Sequence, residues 1–121
     1  MSGAGPEAHW RAALAEGRLL LQRARASGTV IFPPRLAEPG SGDIALDWIE
    51  ASGLGTVHAV TVIARKPPEP PYNVVLVELD EHVRLMSRVE GIAPDAVTIG
   101  MRVRARISEE DGAPLLLFEP V

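Results

Sequence analysis

Residues 24, 27, 38 and 41 of this 121-residue chain are spaced x-x2-x-x10-x-x2-x, the spacing of two metal-binding knuckles. A zinc ribbon needs four soft or borderline ligands in a tetrahedron, two from each tight turn. Here the four positions hold Ala24, Ser27, Glu38 and Ser41. Alanine and a neutral serine hydroxyl are not competent zinc ligands, and one carboxylate does not hold the ion. Zinc is therefore expected to be absent. The chain contains no cysteine, which excludes disulfide and thiolate chemistry outright.

The other residues with chemical potential form no catalytic constellation. His9, His58 and His82 are not at helical metal-ligand spacing, and none sits in a serine or acid pattern that specifies a triad. His58 falls inside an apolar run and is expected to be a hydrogen-bonded structural histidine. Paired carboxylates can do acid–base work, but Asp80–Glu81 and Glu109–Glu110–Asp111 fall in expected turns and read as solvated caps. "ASGLGT" (residues 51–56) lacks the lysine and helix start of a phosphate loop, so its glycines are expected to permit tight turning. Arg102, Arg104 and Arg106, with Arg84 and Arg88 on what is expected to be a neighbouring strand, make a candidate basic face. Single-strand binding would require stacking aromatics beside such a face. Aromatics make up 4% of the chain and none alternates with these arginines, so a solvated outer surface is the favoured reading.

The elements that would position these residues are mostly strands. "MRVRARI" sets Met101, Val103, Ala105 and Ile107 on one face and the three arginines on the other, the period-two pattern of a strand with one wet side. Five strand-like runs stand out: "TVHAVTVIAR", "YNVVLVELD", "HVRLMSRVEG", "MRVRARIS" and "APLLLFEP". Most are bounded by turn residues, and the 11 prolines and 11 glycines fit short strands rather than a bundle. A short helical turn is expected at Pro94–Asp95, before the fourth run. Five strands with a small helix before the fourth is the layout of an OB-fold. Near the N-terminus, residues 6–16 read as a helix, with Pro6 at its first position, Glu7 near its positive end, Trp10, Ala13 and Leu14 on one face and Gly17 as its stop. A helix this short must dock, either on its own barrel or on a partner for which Trp10 is an anchor. After it, "SG" and "PP" favour extended chain.

With these flanks, the sequence resembles the DUF35 family, in which a rubredoxin-like zinc ribbon precedes an acyl-CoA-associated OB-fold. The resemblance is carried in order by "LLLQRARASGTVIFPPRLAEPGSG", "LDWIEASGLGTVHAVTVIAR", "YNVVLVELDEHVRLMSRVEG" and "IGMRVRARI". "FPPR", W-x-x-A-S-G-x-G-T-V and V-x-L-D-E-x-V-R-L are together specific. In the family the knuckle positions are typically cysteines, and this chain has lost all four. The turns thus read as a metal-site scaffold without its metal. Structural zinc supplies much of a small module's folding energy, so something must compensate. The apolar Leu19, Leu21, Val30, Ile31 and Phe32, stiff Pro33 and Pro34, and packing on the barrel or a partner are the expected sources.

The expected architecture is thus mainly β: an N-terminal helix and degenerate, metal-free ribbon over residues 1–45, then a five-stranded OB-fold barrel over 46–121. The resemblance implies a non-catalytic accessory or scaffold subunit of a thiolase-superfamily enzyme (a thiolase, acyltransferase or aldolase) in acyl-CoA metabolism. It implies no cofactor of the chain's own, with acyl-CoA as a ligand of the complex. The residues put forward for partner or acyl-CoA contact are Trp10, Phe32, Arg35, Arg84, Arg88, Arg102, Arg104 and Arg106. A single-stranded nucleic-acid module and a stand-alone acyl-CoA binder are the alternatives. A net charge of −4 argues against the first. No apolar run approaches the ~20 residues of a membrane span and "MSGAGPEAHWRAA" lacks a secretory layout, so the cytoplasm is the expected location. A homo-oligomer is left open.

Overall fold

A computed structural model of the protein describes residues 5–121; residues 1–4, the start of the stretch read for a leader and of the 1–45 unit, lie outside them. The chain runs α1 (Pro6–Ala15), β1 (Leu20–Ala24), β2 (Val30–Ile31), β3 (Leu46–Glu50), β4 (Leu54–Ile63), β5 (Tyr72–Leu79), β6 (Arg84–Ser87), a 3-10 turn (Pro94–Ala96), β7 (Arg102–Glu110) and β8 (Ala113–Pro120). The expected helix, five barrel strands and short helical turn are all present.

α1 starts on Pro6 and carries Glu7 in its first turn, as read from the sequence. Its end is set by Gly17 at φ 81°. The Gly17 N–H donates to the Leu14 carbonyl and the Arg18 N–H to that of Ala13, a Schellman closure that needs a left-handed residue at this point. Ala13 and Leu14 are buried against β1 and β8.

Two antiparallel sheets follow. The first has order β2-β1-β3 and the second β6-β5-β4-β7-β8. The second is the five-stranded OB-fold sheet. It curls until its two outer strands meet: Val89 bridges Phe118 in parallel, the Phe118 N–H donates to the Arg88 carbonyl at 3.0 Å, and the Glu90 N–H donates to the Phe118 carbonyl at 2.9 Å. β5 shows why the sheet has an inside. Asn73, Val75, Val77 and Leu79 are buried and the residues between them are not, the alternation of a strand with one packed face. Asn73 is a polar residue in this core, and its amide is fully used. It donates to the carbonyls of Val89 at 3.1 Å and Pro94 at 3.3 Å, and accepts from the Val89 N–H at 2.9 Å. The 3-10 turn and the end of β6 are pinned to the barrel by that one side chain.

The sequence-based division at 45/46 cuts just before β3, yet β3 pairs with β1 over Leu20↔Glu50 to Ala24↔Leu46, in the first sheet. The change of sheet falls at residues 51–53. Gly53, at φ 79°, does make the turn expected of "ASGLGT". Gly55 does something different: a Cβ there would stand 2.8 Å from the Glu78 carbonyl oxygen and 2.8 Å from Val77 Cγ1, so glycine is required by close approach of β4 to β5. The two sheets are not separately packed. Leu14, Leu19 and Leu21 belong to the same buried cluster as Val57, Val77, Val103 and Phe118. That shared core holds the ribbon's turns in place relative to the barrel.

Candidate functional site

The two turns built on residues 24–29 and 38–43 are near copies. The Gly28 N–H donates to the Ala24 carbonyl at 2.8 Å and the Gly42 N–H to that of Glu38 at 2.9 Å. The Ala24 N–H donates to Thr29 and the Glu38 N–H to Asp43, each at 2.8 Å. Gly28 and Gly42 share left-handed φ values of 76° and 73°. The fourth residue of each turn is a serine whose Oγ accepts the N–H two residues on, Thr29 to Ser27 and Asp43 to Ser41, both at 3.2 Å. Both hydroxyls donate to one carboxylate: Ser27 to Glu38 Oε2 at 2.8 Å and Ser41 to Glu38 Oε1 at 2.7 Å. Hydrogen bonds from Ser41 and then Ser27 hold the Glu38 carboxyl below the ordinary carboxylate range. Ala24 is fully buried. The structure thus brings Ser27, Glu38 and Ser41 into one hydrogen-bonded unit, with Ala24 buried in the first turn.

These residues do not fit zinc. The alanine offers no donor atom, and each serine has its proton committed to Glu38 and a lone pair to a backbone N–H. Among the described residues, no group of three or more His, Cys, Asp or Glu is placed to hold a metal ion.

The arginine stripe lies on the outer face of β7, as its alternation requires, but it is not a free basic face. Arg102 grips Asp80 through two nitrogens, at 2.8 and 3.0 Å, and donates to Thr56 Oγ1 at 3.1 Å. That hydrogen bond with Arg102 is the main reason the Asp80 carboxyl is held low. Glu90 lies between Arg88 (2.8 Å) and Arg106 (2.9 Å), and these reach on to Glu110 (3.7 Å) and Glu119 (3.5 Å). Arg84 pairs with Glu78 at 3.1 Å. Arg104 is exposed and takes no part in these pairs. The expectation that Arg84 and Arg88 lie on a strand neighbouring β7 is corrected by the strand order: β5 and β4 separate β6 from β7 on one side, and β8 on the other. The acidic runs are corrected in part. Asp80–Glu81 do fall in a turn, but Glu81 accepts the Ser52 N–H at 2.8 Å and Asp80 is held by Arg102. Glu109 and Glu110 belong to β7, the tight turn being Asp111–Gly112, and all of Glu109, Glu110 and Asp111 are exposed.

Trp10 and Phe32 meet at 5.6 Å between ring centroids, and His9 lies 4.6 Å from Trp48. The helix therefore docks on its own ribbon and barrel. The Trp10 indole N–H is buried without an acceptor. Arg35 is fixed through its backbone: its N–H donates to Gln22 Oε1 at 2.7 Å, and Gln22 Nε2 donates back to the Arg35 carbonyl at 2.8 Å. Gln22 was missed in the sequence; its signal is a lone amide inside the apolar "LLLQ". A cleft of about 560 Å³ between ribbon and barrel is lined by Phe32, Arg35, Glu38, Glu78, His82 and Arg84. Its two arginines are matched by two glutamates, which leaves no net field for an anion. His58 is exposed at the β4 bulge between Val57 and Ala59, which corrects the expected hydrogen-bonded structural role. It follows the buried Val57, so strand alternation turns it outward. No helix among the described residues is long and apolar enough to cross a membrane.

Comparison with known proteins agrees with this architecture. A family model described as the ChsH2 C-terminal OB-fold domain matches residues 48–108. A DUF35 domain-containing scaffold protein of Methanocaldococcus jannaschii is 32% identical over 110 residues, covering 85% of this chain and 78% of its own. A probable enoyl-CoA hydratase alpha subunit of Thermomonospora curvata is 42% identical over 100 residues, and this chain spans 31% of its length, about a third. Among solved structures, a chain of the Ltp2-ChsH2(DUF35) aldolase superposes with a TM-score of 0.84 at 39% identity, covering 95% of this chain and 94% of that one. A DUF35 protein of Sulfolobus solfataricus has the same fold, with a TM-score of 0.70 at 16% identity over 99% of this chain and 89% of its own. On this evidence the chain belongs to the DUF35 family, with a ChsH2-type OB-fold as its C-terminal part.

Proposed function

We propose that this protein is a non-catalytic scaffold subunit of an enzyme complex in acyl-CoA metabolism, and that its partner is a thiolase-superfamily catalytic subunit. The observation that carries this is the near full-length match, 95% of this chain against 94% of the other, to the DUF35 component of the Ltp2-ChsH2(DUF35) aldolase. The scaffold names of the archaeal relatives point the same way. In relatives named as hydratase alpha subunits, the part that aligns is 31% and 32% of the whole. An activity of those longer proteins therefore has room to reside outside the matched region. The chain's own chemistry supports the non-enzyme reading: Glu38, Asp80, Glu81 and Glu90 are engaged with hydroxyls, arginines or backbone, and among the described residues no hydrogen bond joins a histidine to a serine or an acid.

The expected zinc-free state belongs to this proposal, as does acyl-CoA as a ligand of the assembled complex. Nucleic-acid binding has little support, because Arg102 and Arg106 of the stripe are paired with Asp80, Glu90 and Glu119. The test is affinity capture of the full chain from its source, then reconstitution with the captured subunit. Co-elution of a thiolase-superfamily protein whose activity rises on adding this chain is the expected result. If the chain alone turns over an acyl-CoA, binds oligonucleotides with a steep salt dependence, or binds acyl-CoA with no partner, the proposal is wrong.

A further inference from the structure

We propose that the Glu38 carboxylate performs in this chain the mechanical task of a metal ion in a two-knuckle ribbon: it cross-links the two turns. The inference is independent of which partner the protein serves. Each turn projects its fourth residue toward a common centre, and in each the hydroxyl oxygen is aimed by the N–H two residues on. A metal would meet four ligands there. Instead the first position of the second turn, Glu38, extends a charged group into the centre and binds both hydroxyls, one in its own turn and one 11 residues away. The first position of the other turn, Ala24, is a fully buried methyl, where a polar side chain would need a partner of its own.

The electrostatic logic is inverted relative to a metal site. A cation binding thiolates collects negative charge around a positive centre. Here a negative centre collects two O–H donors, which are the charge-assisted bonds of greatest strength available to serine. The surrounding charges leave the arrangement intact. Asp43 in the same turn is repulsive toward Glu38. In the adjoining cleft, which Arg35, His82 and Arg84 also line, Arg84 is already paired with Glu78. The Ser27–Glu38 bond links the two turns side chain to side chain.

The experiment uses the full chain and thermal unfolding, with far-UV circular dichroism as readout. Wild-type protein is expected to melt at one temperature whether treated with EDTA or with equimolar zinc. Ser27→Ala and Glu38→Ala should each lower the melting point by a few degrees. The double substitution should lose no more than Glu38→Ala alone, because that variant already removes the Ser27 link. Additive losses, or an EDTA-induced drop in the wild type, would overturn the inference. A constructive arm keeps the test decisive if the alanine variants do not fold. The variant A24C/S27C/E38C/S41C restores ligands to a frame that the bridge is argued to have preserved. It should bind one cobalt ion with the intense visible absorption of tetrahedral thiolate coordination and become chelator-sensitive. A folded variant that takes up no cobalt would show that the turns no longer share a centre.

Discussion

Leu21 lies in the three-stranded sheet and is 1% exposed, yet it packs in the same cluster as Val57, Val77 and Phe118 of the barrel. If that shared core is what joins ribbon to barrel, Leu21→Ala must weaken the whole chain. The substitution deletes three buried carbons and leaves a cavity that rigid strands on both sides cannot collapse. The expected loss is about 3 kcal/mol, which for a domain of this size is roughly 10–15 °C in melting temperature. The assay is urea unfolding followed by two probes. Trp10 and Trp48 both lie in the N-terminal part, so tryptophan fluorescence reports the helix and ribbon, while far-UV circular dichroism is dominated by the barrel strands. In wild type and variant alike, the two curves should coincide, with the variant's midpoint lower and its slope unchanged. A variant whose fluorescence transition moves to lower urea while the dichroism transition stays put would refute the reasoning. Ribbon and barrel would then be two cores in contact.

Three further outcomes follow from single sites. Asn73→Leu removes an amide that serves Val89 twice and Pro94 once, leaving backbone groups unpaired in the core; a loss of about 3 kcal/mol in denaturant unfolding is expected. Gly55→Ala forces a methyl to within 2.8 Å of the Glu78 carbonyl, and should cost about 2 kcal/mol or more by the same measurement. The pH dependence has a worked sign. Hydrogen bonds from Arg102 and Arg25 hold the Asp80 and Asp47 carboxyls below their ordinary value, against the opposing pull of burial. A carboxyl that is lowered on folding contributes stability that is present above its unfolded value and is lost as pH falls through the folded one. Melting temperature should therefore decline as pH drops below about 4, and less steeply for Arg102→Gln at matched ionic strength.

The strands of the barrel were legible because their pattern is local. Alternation in "MRVRARI" and the turn chemistry of Asp111–Gly112 report on residues a few positions away, and a half-buried strand leaves that signature whatever it pairs with. α1 was legible for the same reason, from Pro6 to the Gly17 stop. The division at 45/46 was less so, because "LDWIE" reads as a strand but carries no mark of which sheet it joins; pairing with β1 decided that. The arginines show the limit most clearly. Their shared face follows from period two, but Glu90 lies 16 residues from Arg106 and Asp80 lies 22 from Arg102. Only closure of the sheet brings Glu90 between Arg88 and Arg106, turning an apparent basic patch into a nearly neutral network. His58 misled because apolar neighbours surround it in sequence, although alternation from the buried Val57 turns it outward.

By itself, the sequence determined the pieces from which this protein is made: four knuckle positions with no thiolate, and a run of half-buried strands. Composition and spacing suffice for that, since ligand identity and periodicity are properties of neighbouring residues. Tertiary structure decided what fills the vacated centre and what the charges do. Ser27, Glu38 and Ser41 become a unit only when two turns 11 residues apart are folded onto a common point, and the arginines find their acids only when the sheet curls shut. Such contacts depend on distances through space that the order of residues along the chain does not encode.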